Sequence, residues 1–194
     1  MNEFKEITKL LFKFEEFGVE QTQNDTILIG KAPHLGPEAW LNTIYEPLSE
    51  FEIKHLEIVL NTEIPIQYKY FLRNFSNGLN VLCSTFSLYG LRKINGRDLN
   101  SSRQPYSIET PNIWERPNNS NESYFYIGGY NWDGSNLYIN KENNKVYCCE
   151  RYDSSPKFEW NSLNEMIYSE IIRIYNLFDT KGIELNEDIS TLPY

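Results

Sequence analysis

Residues 124–149, YFYIGGYNWDGSNLYINKENNKVYCC, decide how the rest of the chain is read. They divide into three short strands joined by two turns. The first turn is Tyr130-Asn131-Trp132-Asp133-Gly134-Ser135 and the second is Glu142-Asn143-Asn144-Lys145. Asp-Gly and Asn-Asn suit tight turns because these residues tolerate positive φ at little cost. Phe125 and Ile127 alternate with Tyr124 and Tyr126, the two-residue period of a half-buried strand. The reading is therefore a sheet with two aromatics, a carboxylate and a glycine presented at one loop tip.

Working outward, the chain falls into helices grouped apart from that meander. Phe4, Ile7, Leu10, Leu11, Phe14 and Phe17 form one stripe over residues 3–17, with Asn2 as N-cap and Gly18 as stop. Residues 26–30 predict a short strand. Residues 31–41, with Pro33, Gly36 and Pro37, read as a connection that Trp40 anchors. Ser49-Glu50-Phe51-Glu52 is a capping box with Leu48 and Ile53 at the staple positions. Ile53, Leu56 and Leu60 then face the core, while His55 lies off that row. A second helix after Pro65 buries Tyr68, Phe71, Leu72 and Phe75 and ends at Asn77-Gly78. Residues 81–83 and 85–90 predict a strand pair. Residues 91–122, with Pro105, Pro111, Pro117, Tyr106 and Trp114, show no clear period. A segment this long is either an ordered loop over one end of the sheet or a mobile binding element. Residues 151–157 read as a polar connection. A last helix opens at Ser162 with Glu165 three residues on, buries Leu163, Met166, Ile167, Ile171, Ile174, Leu177 and Phe178, and stops at Lys181-Gly182. Residues 184–194 read as a loosely held acidic tail. Helices set apart from strands linked by tight turns give an α+β fold, an antiparallel sheet packed against flanking helices.

Composition narrows the function. The 194 residues carry a formal net charge of −9, which argues against a nucleic-acid binder, since phosphate contacts need clustered Lys and Arg. An acidic surface suits a basic protein partner, whose approach it accelerates. No run approaches the roughly 18 apolar residues of a membrane span, and residues 1–17 mix acids with bases, unlike a secretory signal. The expectation is a cytoplasmic protein without a membrane partner. Cys83, Cys148 and Cys149 form no CxxC, and His34 and His55 lie apart, so neither a metal nor a cofactor is expected. HExxH, Walker and GxSxG patterns are absent. Asp133 could pair with Glu150, Glu122 or Glu115 as an acid/base couple; the competing reading has its side chain bonding the local backbone of an Asp-Gly turn. Trp132 is either an exposed contact or a plug folded back into the core.

Several of these features occur in a familiar order: Ile64-Pro65, Tyr68, Phe71-Leu72, Asn77-Gly78, Leu88-Tyr89-Gly90, Ile127-Gly128-Gly129, Asp133-Gly134 and Trp160. In that order, residues 44–180 resemble the SUKH superfamily, the Smi/Knr-type proteins. The resemblance implies a single SUKH-like domain over 44–180; outside it, residues 1–43 read as a helix and extension packed on the core and 181–194 as a tail. The resemblance further implies a non-catalytic immunity protein that binds a toxin domain, often a nuclease, of a bacterial polymorphic or contact-dependent system. Fungal relatives regulate cell-wall synthesis through protein contacts. A small hydrolase built around Asp133, or a regulatory scaffold, are the alternatives. No binding residues transfer from the family, so the partner-binding set expected here, Trp114, Tyr130, Trp132 and Asp133, comes from the aromatic and acidic residues of this sequence.

Overall fold

The computed structural model describes residues 4–94, 96 and 98–194. Helix α1 (Lys5–Leu11) tightens into a 3-10 turn (Phe12–Phe17) that ends at Gly18. Phe4, Ile7, Leu11 and Phe14 are buried, as the stripe requires. The α-helix is shorter than expected because Phe14 leaves helical dihedrals (φ −102°, ψ 17°), where its ring meets Tyr175 edge-on at 5.3 Å. Phe17 turns partly to solvent, and the expected Asn2 cap lies outside the described residues. Strands β1 (Val19–Gln21), β2 (Ile27–Lys31) and β3 (Trp40–Ile44) follow. β3 replaces the end of the expected connection: once past Pro37, the run Leu41-Asn42-Thr43-Ile44 is buried throughout, and such a run shows no alternation to read.

Helix α2 (Glu50–Leu60) carries the full capping box. The Glu52 N–H donates to Ser49 Oγ at 3.3 Å, and the Ser49 N–H donates to Glu52 Oε2 at 2.8 Å. Leu48 and Ile53 are both buried, as a staple requires. Helix α3 (Ile66–Asn74) buries Tyr68, Phe71 and Leu72 but ends before Asn77-Gly78. Asn77 instead bridges to the next segment, accepting the Leu91 N–H and donating to the Leu91 carbonyl. Strand β4 (Leu79–Val81) meets β5 (Phe86–Leu88) through Leu82, Cys83 and Ser84, all at positive φ, so the expected strand over 81–83 starts and stops two residues earlier. Helix α4 (Leu99–Ser102) and a π-helical turn (Thr110–Trp114) interrupt the irregular segment.

Then come β6 (Tyr124–Tyr130), β7 (Asn136–Asn140) and β8 (Val146–Cys149), the three strands of the opening stretch. β9 (Pro156–Trp160) adds an edge strand where a connection was expected. Its four exposed residues carry no apolar alternation, and proline opens it, a position where a ladder N–H is dispensable. Helix α5 (Leu163–Tyr175) follows Ser162, whose Oγ accepts the Glu165 N–H. The Glu165 carboxylate reaches the Asn161 N–H rather than closing the box on Ser162. α5 ends at Tyr175, so Leu177 and Phe178 lie beyond it and Lys181-Gly182 is not its last turn.

Among the described residues the nine strands make one sheet in sequence order, each pair of neighbours antiparallel. With the helices packed on it, the fold is α+β. One core cluster joins Phe125, Ile127, Leu137, Ile139 and Cys148 of the sheet to residues of α1, α2, α3 and α5. Tyr68 ties α3 to the sheet, its hydroxyl donating to the carbonyls of Tyr89 and of Ile127. The opposite face of β6–β8 is covered as well. Tyr126, Tyr138 and Cys149 are buried there under the irregular segment, where Asn112 bonds both the N–H and the carbonyl of Tyr126. The tyrosine hydroxyl also reaches Ser120 Oγ at 2.9 Å. Residues 91–122 thus, where described, lie over this face of β6–β8 rather than over one end of the sheet.

Gly128 and Gly129 let strands approach closely. A Cβ on Gly128 would lie 2.3 Å from the Ser87 carbonyl oxygen, and one on Gly129 2.5 Å from that of Ser135. The residues after 181 are held rather than loose. Leu185 N–H donates to the Leu177 carbonyl at 2.9 Å, Leu192 packs on the core, and Thr191 is buried.

Candidate functional site

The β6–β7 turn is built by its own residues. Asp133 Oδ1 accepts the Ser135 N–H at 2.8 Å, and the Tyr130 N–H donates to the Ser135 carbonyl at 3.0 Å. The Asn131 N–H reaches across to the Thr85 carbonyl at 3.2 Å, pinning the turn to the β4–β5 loop. Asp133 therefore does the backbone work of an Asp-Gly turn, while staying exposed. Trp132 is 44% exposed, so of the two readings the sequence left open the core plug does not hold.

Tyr130 corrects the expectation of a surface residue. It is only 3% exposed, and its hydroxyl donates to Glu170 Oε2 of α5 at 2.6 Å. The cause is a register shift between Tyr126 and Gly128, which offers β7 one residue more on β6 than strict alternation allows. A bulge of this kind reverses which side chains face the core, so Tyr130 points inward with Phe125 and Ile127 instead of outward with Tyr126. Burial, with the Glu170 charge beside it, holds its phenol well above the ordinary tyrosine range and therefore neutral. Tyr130 supports the tip from below and offers a partner no surface.

Trp114 ends the π-helical turn and is 75% exposed. The residue after it, Glu115, and the glycine of the Trp132 loop, Gly134, line the same cavity of about 220 Å³. Tyr89, Tyr106 and Pro111 form its apolar wall, and Arg151 and Tyr152, just past β8, form another side. Tyr89 and Tyr106 meet edge-on at 6.0 Å. The stem of Arg151 lies across Gly134, where a Cβ would sit 3.0 Å from Arg151 Cδ; the φ of +78° is what favours glycine there. The Arg151 guanidinium lies over the Tyr152 ring at 5.1 Å and stands 3.6 Å from a Glu115 carboxylate oxygen. Among the described residues that carboxylate accepts no shorter bond. Burial pushes the Tyr89 phenol up to about 12, with the charges of Tyr106 and Glu115 adding to the rise. The loops carrying Trp114, Trp132 and Asp133 thus flank one aromatic pocket.

A wider cavity of about 370 Å³ opens near Tyr45, Lys93 and Arg103. Its cations are already matched: Lys93 to Glu52 at 2.6 Å and to Glu46 at 3.4 Å, Arg103 to Glu20 at 2.9 Å and to Glu38 at 3.3 Å.

Among the described residues, three of the four carboxylates weighed for acid/base work, all but Glu122, have a local partner. Glu150 pairs with Lys157 at 2.7 Å, Glu115 faces Arg151, and Asp133 holds its turn. Burial pushes the thiols up, Cys83 to about 11, Cys149 to about 12 and Cys148 further, so all three are protonated at neutral pH. Among the described residues no group of three or more His, Cys, Asp or Glu could hold a metal ion, and no helix is long and apolar enough to cross a membrane.

Sequence reasoning missed Tyr106, Tyr152 and Arg151 as site residues. The Arg-Tyr pair directly after β8 was the available signal, but only the fold brings it against Glu115. No curated protein matches the chain. The model of the SMI1 / KNR4 family (SUKH-1) matches residues 47–169, a span that holds α2, α3 and every strand from β4 to β9. The pocket, its two flanking loops and most of the core lie inside that match, and the chain belongs to the SMI1 / KNR4 family (SUKH-1).

Proposed function

We propose that this chain is a non-catalytic immunity protein. In this reading it works in the cytoplasm and binds a basic toxin domain, a nuclease of a bacterial polymorphic or contact-dependent system, and blocks it by covering the active site. The observation that carries the reading is the pair of solvent-facing tryptophans, Trp114 and Trp132, on two ordered loops beside one aromatic pocket. Tryptophan dominates interface energetics when it is desolvated by a partner, and large aromatics held open to water by hydrogen-bonded loops serve binding better than folding. The net charge of −9 supports the basic partner, since complementary charge speeds encounter. Asp133 adds a carboxylate beside Trp132, and Tyr130 contributes rigidity from the core.

The test is co-expression with a candidate toxin domain taken from a neighbouring gene. Growth should be restored, and Trp132→Ala should weaken binding at least tenfold, about 1.4 kcal/mol, with the melting temperature unchanged. Absence of both rescue and binding would refute the reading. A large loss of stability in Trp132→Ala would instead make that residue a fold element.

A further inference from the structure

The pocket between the Trp114 and Trp132 loops has a feature that protein binding in general does not require: an acid and a base set against each other without closing. Charge-assisted bonds between Arg and carboxylate run at about 2.7–2.9 Å, whereas Arg151 and Glu115 stand 3.6 Å apart. Both side chains are half-exposed, so the Glu115 carboxylate faces the cavity with hydrogen-bonding capacity unused by the described residues. Tyr106, 51% exposed, and Tyr152, 74% exposed, line the same cavity, and the more buried Tyr89 lines it as well. A carboxylate among tyrosine rings is the chemistry that receives a guanidinium or ammonium group, by ion pairing at one end and cation–π contact along the faces. At about 220 Å³ the cavity is smaller than the ~300 Å³ floor of ordinary small-molecule sites and is of a size for one side chain.

Arg151 shows how such a group sits: its stem lies on Gly134, its guanidinium lies over Tyr152, and its charge faces Glu115. It comes from an exposed connection, and its side chain is half-exposed.

We propose that this pocket is a receptor for a single arginine or lysine side chain projected by a basic protein partner. The incoming cation pairs with Glu115, lies between Tyr106 and Tyr152, and displaces Arg151 toward solvent. The net charge of −9 favours a cationic visitor over an anionic one. The inference rests on the protein-binding reading above and adds to it the chemistry of the anchor.

The test needs no cognate toxin. Capped tripeptides Gly-Arg-Gly, Gly-citrulline-Gly and Gly-Glu-Gly are titrated into the ¹⁵N-labelled full chain, followed at the amides of Gly134, Thr110 and Tyr152. The arginine peptide should shift these amides saturably, about tenfold more tightly than its neutral citrulline isostere, the size of one charge-assisted bond. Glu115→Gln should remove that preference, and Arg151→Gln should leave binding equal or tighter. No saturable shift, or equal binding of arginine and citrulline, overturns the proposal. So does preferential binding of the glutamate peptide with loss in Arg151→Gln, which would make the pocket an anion site. If the peptides fail while Trp132→Ala still weakens a toxin domain, the pocket inference alone falls. Arginine binding without any toxin rescue would uphold the pocket and remove the immunity reading.

Discussion

Two Glu–Arg pairs sit near the β6–β7 turn and behave as opposites. Glu170 and Arg173 lie one turn apart on α5, with Glu170 only 2% exposed and the guanidinium 2.6 Å from its carboxylate. Tyr130 donates a further bond to the same carboxylate, and Arg173 Nη2 donates to the Thr191 carbonyl at 2.6 Å. Glu115 and Arg151 are half-exposed, stand 3.6 Å apart, and share no third hydrogen-bonding group among the described residues. The difference teaches what each pair is for. A buried charge is tolerated only when its remaining bonding capacity is met, so the α5 pair joins β6, α5 and the chain beyond 181 into one support. An exposed pair gains little from closing and can exchange partners without cost to the fold.

The largest effect that can break this contrast comes from the buried side. Glu170→Ala leaves Arg173 and the Tyr130 hydroxyl without their shared acceptor, and should cost about 3–5 kcal/mol. For a chain of this size that lowers the melting temperature by about 10 °C. Urea denaturation measures the loss, and limited proteolysis should show cleavage after residue 181 at concentrations that spare the parent. A loss below about 1 kcal/mol would place this pair with the exposed one. Next comes Tyr130→Phe, which keeps the ring packed on Phe86 at 5.6 Å and deletes only the bond to Glu170. It should cost about 2 kcal/mol, the range for a hydrogen bond to a charged acceptor, and less than that when Glu170 is already alanine, because the two changes remove the same contact.

The same contrast explains what was legible in the sequence. Local chemistry read well: the Ser49 box, the Asp-Gly and Asn-Asn turns, and the stripes of α2, α3 and α5 are fixed by neighbours a few residues away. Order along the chain also fixed the family and the α+β class. β1 and β9 escaped because exposed edge strands carry no apolar alternation, and β3 because burial on both faces erases it. Tyr130 was misplaced by one extra residue, since a bulge leaves no mark that a period-two reading can detect. Trp114, Trp132 and Asp133 were picked from residue type alone, and the structure leaves all three exposed. Tyr106, Arg151 and Tyr152 were not, because their meaning depends on three separate segments converging on Gly134.

The smallest effect is also the sharpest, because the exposed pair should matter for binding and hardly at all for folding. Glu115→Gln, Arg151→Gln and the double variant form a cycle whose coupling energy should stay below about 0.5 kcal/mol in urea denaturation. Any coupling present in low salt should vanish by about 1 M NaCl, where the screening length falls to about 3 Å, comparable with the separation itself. The Glu170–Arg173 pair, shielded by Tyr130 and the residues beyond 181, should keep its contribution across the same range. A coupling above about 1.5 kcal/mol that survives salt would mean that Glu115 and Arg151 close in solution more tightly than their 3.6 Å separation indicates. The carboxylate would then be committed to its own arginine, and a partner's cation could enter only by breaking a bond the fold depends on.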